Sequence, residues 1–162
     1  MIFRLIVILT VLISVTACKT EPVPEFKPLN LMDKGVPITI MAPDSADVTT
    51  DDLIVMQEVS IKKGDDYYVQ IRYSDAGNED VAALKADEVA DAKKDPFFAE
   101  IVRDDPDGFI YKMEVDSTRT GYGFRHVRLK GNKEYRFRNG IIGIFDKEAI
   151  EAMYNGVREQ KK

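Results

Sequence analysis

Hydrophobic and polar residues alternate along much of the chain beyond Gly35, a period of two that is typical of strands with one buried face. The clearest segment is 67–73, where Tyr67, Val69 and Ile71 share one face while Gln70 falls on the other. A turn signal at Gly64 joins this segment to 53–61 and predicts an antiparallel hairpin. We therefore expect strands at 36–41, 53–61, 67–73, 109–115, 122–130 and 134–137, with a further short strand at 141–145.

Three segments change to a helical period. The first is 80–94, which carries a moderate apolar stripe with charges on the other side. Asp95 followed by Pro96 has the form of a helix start, so a second, short helix is predicted there, and Asp146 caps a final helix. The expected inward side chains are Val81, Leu84, Val89 and Ala92, then Phe97, Phe98, Ile101 and Val102, and finally Ile150, Met153, Tyr154 and Val157.

These elements predict an α+β fold, in which an antiparallel sheet of about five to six strands packs against two main helices. The chain of 162 residues is long enough for one domain with its own hydrophobic core. The pattern leaves open whether the two helices cover the same face of the sheet or opposite faces.

The chain opens with an apolar run over 5–17 that follows Arg4. This run is shorter than the about 20 residues that a membrane-spanning helix requires, so it fits the hydrophobic region of a secretory signal peptide. It ends in Val15-Thr16-Ala17-Cys18, which resembles the lipobox of bacterial lipoproteins. We expect a lipoprotein signal peptide at 1–17, a lipidated Cys18 with an extended Pro-containing tether at 18–34, and a single domain at 35–162.

The lipobox resemblance implies that the Cys18 thiol receives a diacylglycerol, that a dedicated peptidase cuts before it, and that the new amine is acylated. Several acyl chains anchor a protein stably, because each buried CH₂ contributes roughly 0.8 kcal/mol. Lys19 in place of Asp favours sorting to the outer membrane of the bacterial cell envelope. The alternatives are a plain secretory signal cut near Ala17 and an uncleaved anchor.

Composition narrows the function further. Cys18 is the only cysteine, so an intramolecular disulfide is excluded. The formal net charge of −5 at pH 7 argues against a nucleic-acid partner. We expect no cofactor and no metal: His126 is the only histidine, and the acidic cluster at 104–107 lacks the spacing of a calcium loop.

The order of elements also resembles a known fold. The segment 38–43 (ITIMAP) is a strand that ends in a proline turn, and a hairpin, a helix, a strand meander and an amphipathic helix follow. This order resembles the PsbP-like α/β/α sandwich of thylakoid extrinsic proteins and several bacterial lipoproteins, over residues 36–158. The resemblance implies a scaffold or binding role and gives no catalytic residues to carry over.

The segment 119–138 is the most basic stretch, with Glu134 as its only acid. Within their strands, His126, Arg128 and Lys130 share one face, and Arg136 and Arg138 share another. An ordinary solvated face with Glu58, Glu114 and Asp116 as cross-strand partners is the alternative to a binding surface. The candidate contacts for an anion or a partner are Arg125, Arg128, Lys130, Arg136 and Arg138.

His126 is the one candidate for acid–base chemistry. Its neighbours Arg125 and Arg128 disfavour the imidazolium, and no orienting partner is evident, so we expect a surface or partly packed histidine. The expected function is a non-enzymatic, lipid-anchored binding or accessory module that contacts the membrane through Cys18 and an envelope protein or anionic ligand. The alternatives are an envelope enzyme that uses His126 with a nearby acid and a purely structural tether.

Overall fold

The computed structural model describes residues 25–53, 56–77 and 80–158. Over these ranges the chain forms nine β-strands, one turn of 3-10 helix at Met32–Lys34 and two α-helices. The expected signal peptide, Cys18 and the start of the expected tether lie outside the described residues. The elements are β1 (Phe26–Asn30), β2 (Thr39–Pro43), β3 (Asp47–Leu53), β4 (Met56–Lys63), β5 (Tyr67–Asp75), α1 (Val81–Ala92), β6 (Phe98–Asp105), β7 (Gly108–Glu114), β8 (Thr120–Lys130), β9 (Lys133–Asn139) and α2 (Lys147–Arg158).

Seven strands form one antiparallel sheet in the order β3-β4-β5-β9-β8-β7-β6, and β1 pairs with β2 in a separate two-stranded sheet. The α+β class is therefore confirmed, but the expected number of five to six strands is wrong. The hairpins β4–β5 and β8–β9 form where alternation and turn residues predicted them. The additional strands are β1, β3 and β6.

The single strand expected at 53–61 spans parts of two strands. β3 ends at Leu53 and β4 begins at Met56, and these two residues pair with each other in the register. The predicted position 55 lies outside the described residues. β3 is almost entirely exposed, and its sequence DVTTDDL contains few apolar residues. Such a polar strand at the edge of a sheet gives no alternation signal, and its charges oppose pairing with another chain.

The short helix expected from Asp95 is also wrong. The Asp95 side chain accepts a hydrogen bond from the backbone N–H of Phe97 at 2.9 Å, which closes a local turn. The chain then enters β6, which pairs with β7 through two register irregularities. Pairing with β7 therefore overrides the local helix signal, and Val102 remains 40% exposed.

The described part of the expected tether is folded. β1 pairs with β2 from Phe26↔Pro43 to Asn30↔Thr39, and Leu31 is completely buried. Gly35 ends the following turn with φ of 78°, a left-handed conformation that favours glycine. The folded domain therefore includes residues 26–34, so the boundary expected at 35 is too late.

The two helices cover opposite faces of the large sheet. Asp80 and Asp146 cap them, accepting from the N–H groups of Ala82 and Ala149 at 2.8 Å. α1 packs its Ala92 against Phe109 and Tyr111 of β7 in a small cluster. The predicted stripe of α2 is confirmed, and it packs into the main core with Val69, Ile71, Ile110, Phe124, Phe137, Ile150, Met153, Tyr154 and Val157.

The segment 141–145 is not a strand. Only an isolated bridge between Tyr122 and Phe145 forms there, and Phe145 is buried. The three isoleucines before it point to solvent, at 76% exposure for Ile141, 73% for Ile142 and 48% for Ile144. The connection from β9 to α2 is thus an apolar but exposed loop.

Candidate functional site

Four arginines lie side by side on the sheet face that α1 covers. Arg72 of β5 pairs with Arg136 of β9, and Arg138 of β9 pairs with Arg125 of β8. Side chains alternate across each strand, so all four point away from α2. We call these four residues the arginine block. Like charges directly opposite one another destabilise a sheet, so the block requires nearby carboxylates.

Glu88 of α1 supplies one carboxylate. It lies one helical turn from Leu84 and from Ala92, which are both buried, so its side chain faces the sheet. Its carboxylate oxygens lie 3.0 Å from Arg136 Nη1 and 3.3 Å from Arg125 Nε. Glu88 therefore joins the helix to two strands through charge-assisted contacts.

Glu58 of β4 supplies a second carboxylate at the other end of the block. It accepts from Arg72 Nε at 2.7 Å and from the Gln70 side-chain amide at 2.7 Å. The amide oxygen of Gln70 in turn accepts from Arg138 Nε at 3.2 Å. Glu134 accepts from Arg136 Nε at 3.0 Å and completes the network.

The network leaves Arg138 the least compensated of the four cations. Burial lowers the pKa of Arg138, and the positive charges of Arg72 and Arg125 lower it further. Burial also acts to lower the pKa of Arg136, but the hydrogen bonds to Glu88 and Glu134 outweigh it, and that pKa is raised. Four guanidinium groups face three glutamates, so one positive charge is in excess within the network.

A groove of about 520 Å³ opens between α1 and the strands that carry the block. Its floor is basic and its helical wall is acidic, so a ligand would meet both signs of charge. The side chains of Arg72 and Arg136 keep 37% and 30% exposure, while that of Arg138 keeps 15%. The charged lining residues are Arg72, Asp87, Glu88, Asp91, Lys94, Glu134, Arg136 and Arg138.

The five basic residues predicted as contacts do not form one surface. Arg125, Arg136 and Arg138 are brought together in the block, whereas Arg128 and Lys130 lie on the opposite face. Arg128 Nη2 donates to the carbonyl of Val157 at the end of α2, and Lys130 Nζ donates to the carbonyl of Pro37 at 2.7 Å.

Sequence reasoning missed Arg72 and Glu88 as members of the site. Arg72 stands on the outer face of a correctly predicted strand, which is the one signal that could have identified it. Glu58, proposed as a cross-strand partner for the basic face, does pair with Arg72 and Arg138. The other two proposed partners, Glu114 and Asp116, pair instead with Lys112 and Arg119.

His126 lies on the α2 side of the sheet and is only 2% exposed, which corrects the expectation of a surface or partly packed side chain. Its ring packs against Phe137 at 5.1 Å and Tyr154 at 6.2 Å between centroids. Burial lowers the pKa of His126 to about 4, and although Asp107 acts to raise it, Arg128 lowers it further. The imidazole is therefore neutral at pH 7 and a weak base.

Among the described residues, the His126 ring makes a single hydrogen bond, to a backbone carbonyl. Nδ1 of His126 lies 2.9 Å from the backbone carbonyl oxygen of Asp107, whereas Oδ1 of the Asp107 carboxylate lies 3.8 Å away. Within the described ranges, the buried Nε2 has no hydrogen-bond partner. A cavity of about 480 Å³ borders the ring, and Nε2 itself has almost no accessible surface.

The acidic cluster at 104–107 forms the hairpin between β6 and β7, and its carboxylates are held by cations. Asp104 pairs with Lys85, and Asp105 lies 2.8 Å from Arg103 and 3.1 Å from Arg158. Burial acts to raise the pKa of Asp105, but the Tyr154 hydroxyl and the two guanidinium groups outweigh it, and that pKa is lowered. In the described part of the chain, no three His, Cys, Asp or Glu side chains are grouped to hold a metal ion.

Both described helices are too short and too polar to cross a bilayer, and no other helix among the described residues qualifies. Comparison of the chain with protein-family models, with curated proteins and with solved structures finds no significant match.

Proposed function

We propose that this protein is a lipid-anchored lipoprotein of the bacterial cell envelope whose domain is a non-enzymatic binding module. Two features support the location: an apolar run too short to span a bilayer, and a lipobox-like motif that ends in the only cysteine, Cys18. Lys19 favours placement at the outer membrane. The PsbP-like resemblance, which implies a scaffold or binding role, agrees with this proposal.

The groove beside the arginine block is the proposed contact surface, and it is the observation that carries the binding role. A guanidinium group has five N–H donors in a planar fork. Among the described residues, Arg72 uses Nε alone in hydrogen bonds, so both of its Nη groups remain for a ligand at the partly exposed groove. Arg138 lies beside it with an undercompensated charge.

The chemistry of the groove indicates the kind of ligand. A carboxylate or another anionic group of a ligand or envelope protein would accept from Arg72 and Arg138 without removing Glu88 from its contacts. Asp87 and Asp91 on the helical wall would accept from a neighbouring cation or amide of the same ligand. The groove therefore favours a bipolar ligand, such as a peptide segment with one acidic side chain, over a multiply charged polyanion.

Two alanines on α1 allow a matched test. Ala90 lines the groove, whereas Ala86, one helical turn earlier, lines a separate cleft with Val89 and Ile101. Both alanines are exposed. A photoreactive amino acid placed at Ala90 in living cells is expected to give a discrete adduct that is absent when the same residue replaces Ala86.

The charge of the groove is tested in the same cells. Adding Arg72→Gln to the Ala90 variant is expected to remove the adduct, while Lys130→Gln on the other sheet face leaves it. Adducts of equal yield at both alanines, or an adduct that survives Arg72→Gln in a folded protein, would refute binding in the groove.

A further inference from the structure

We propose that the exposed loop at 141–144, here called the isoleucine loop, inserts its side chains into the lipid bilayer to which the chain is anchored. This inference rests on the proposed lipid anchor at Cys18. It adds a second membrane contact, made by the folded domain itself. The position of the loop relative to the anchor favours the lipid surface as the contact of these side chains.

The isoleucine loop is held firmly by its flanks, so the exposure of its side chains is a property of the fold. On one side the N–H of Gly140 donates to the carbonyl of Tyr68 at 2.8 Å. On the other side the N–H of Tyr122 donates to the carbonyl of Phe145 at 2.9 Å. Ile141, Ile142 and Ile144 project between these two backbone hydrogen bonds and form an apolar tip. Such a tip is costly to leave in water.

The N-terminal end of the described chain lies at the same end of the sheet. The ring of Phe26, the first residue of β1, lies 5.6 Å from that of Tyr67, the first residue of β5. Tyr67 is the chain neighbour of Tyr68, which holds the start of the isoleucine loop. β1 runs from this end toward Gly35, whose carbonyl lies 3.5 Å from the Tyr73 hydroxyl near the other end of β5. Residue 25, where the described chain begins, therefore lies at the same end as the loop.

The distance to the anchor is short. Cys18 precedes Phe26 by eight residues, which span at most about 30 Å even when fully extended. The opposite end of the sheet, at the β8–β9 turn around Asn132, is separated from the loop by the eleven residues of β8, about 35 Å of strand. A tether attached beside the isoleucine loop therefore brings that end, and not the Asn132 end, to the lipid.

The charges around the loop favour an apolar contact over an electrostatic one. The adjacent end of β4 carries Lys62 and Lys63, and the β4–β5 turn carries Asp65 and Asp66, so both signs are present. Insertion of isoleucine side chains depends on the apolar area that is buried, whatever the headgroup charge. Vesicles of phosphatidylcholine alone are thus expected to suffice, and added anionic lipid is expected to change little.

The test uses the lipidated full chain, purified from bacterial membranes and reconstituted into phosphatidylcholine vesicles. Acylation consumes the thiol of Cys18, so Ile142→Cys introduces a single reactive thiol for an environment-sensitive dye. Asn132→Cys, exposed at the other end of the sheet, is the matched control. The dye at 142 is expected to shift its emission to the blue and to be quenched by nitroxide lipids, and the dye at 132 to be quenched by aqueous iodide.

Each other outcome has a definite meaning. Iodide access at 142 equal to that at 132 overturns the inference while the anchor stands. A dye at 142 that is shielded from iodide but not quenched by nitroxide lipids shows coverage by protein and also overturns it. Labelling of the chain without an added cysteine shows that Cys18 is free, which contradicts the proposed anchor and removes this inference with it.

A second variant separates insertion from any effect of the dye. Ile141→Ser combined with Ile144→Ser leaves the dye at 142 in place and removes its apolar neighbours. The nitroxide quenching at 142 is expected to fall, with the emission moving back to the red. Unchanged quenching would show that the dye alone enters the bilayer, and it too overturns the inference.

Discussion

His126 is buried on the α2 side of the sheet. It sits between two aromatic rings, its Nδ1 contacts a backbone carbonyl, and its other nitrogen is buried. Charged groups surround it on three elements: Asp107 in the β6–β7 hairpin, Arg128 on β8 and Arg158 on α2. Protonation would add a third cation beside two guanidinium groups with little solvent to screen them.

The pKa of His126 gives a prediction for stability against pH. The folded-state pKa of about 4 lies below the ordinary value of 6.5, so the unfolded chain binds the proton more readily. The free energy of unfolding should therefore fall as the pH drops from 6.5 to 4, by roughly 3 kcal/mol from this group. Denaturant titrations of the protein and of His126→Phe across this pH range measure the difference, and a variant with the same slope would contradict it.

At Gly108, the backbone of β7 lies very close to the backbone of β8. A Cβ at this position would lie 2.6 Å from the backbone oxygen of Arg125 and 2.9 Å from the hydroxyl of Tyr154. Because the nearer atom belongs to the backbone of a central strand, the hairpin between β6 and β7 would have to shift.

Gly108→Ala is therefore expected to destabilise the protein by about 1–3 kcal/mol. Gly77→Ala is the matched control, because nothing lies within 4 Å of its Cβ position. The free energy of unfolding from denaturant titration measures both variants. Equal stabilities would show that the hairpin does not pack as closely as described.

At the scale of elements, α1 differs from α2 in what attaches it to the sheet. α2 buries four large apolar side chains completely, whereas α1 has a small apolar cluster and relies on the carboxylate of Glu88. That carboxylate accepts a hydrogen bond from Arg136 and forms an ion pair with Arg125 at 3.3 Å, and its side chain is only 11% exposed. Removing one member of such a buried pair costs more than the pair itself contributes.

Glu88→Gln tests this attachment. Loss of the charge leaves Arg125 and Arg136 uncompensated under the helix, so the protein should lose about 2–4 kcal/mol of unfolding free energy. Asp87→Asn, on the exposed side of the same helix, should change it by less than about 0.5 kcal/mol.

Hydrogen exchange locates the effect of Glu88→Gln. The N–H groups of α1 should exchange faster in this variant, while those of α2 keep their protection. Uniform loss of protection in both helices would contradict the separate attachment of α1. The combination with Arg136→Gln should cost less than the sum of the two single changes.

Local patterns predicted the elements whose own residues determine them. The β4–β5 and β8–β9 hairpins formed where alternation and turn residues indicated. α1 formed where a helical period indicated, and α2 where such a period and the capping Asp146 indicated. β3 and β6 were missed because a polar edge strand has no alternation and because pairing with β7 overrode the helix signal after Asp95. Neither outcome is visible in a short window of sequence.

The site was only partly predictable because it depends on strand order. Alternation correctly separated Arg136 and Arg138 from their neighbours, but it could not show that β5 lies beside β9 and brings Arg72 opposite Arg136. These two residues are far apart along the chain, so their contact is a property of the topology. The placement of Arg128 on the other face follows from the same register.

The whole domain is polarised, with different surfaces at one end and on one face of the large sheet. The isoleucine loop and the exit of the N-terminal chain lie at one end of the sheet, and the groove with the arginine block lies on one face of it. An anchor at Cys18 would place the first of these at the lipid and leave the groove accessible to a partner in the envelope. Both proposals therefore depend on the modification of one cysteine.

Lipidation of Cys18 is tested most directly by the intact mass of the protein recovered from bacterial membranes. In parallel, cells that express the protein or Cys18→Ser are grown with radioactive palmitate, and the label in each protein is measured. The account predicts a mature chain that begins at Cys18 and carries a diacylglycerol and an amide-linked acyl chain. It predicts that Cys18→Ser keeps residues 1–17 and takes up no palmitate. An unacylated mature chain, free in the culture fluid with its thiol intact or removed, would contradict the account.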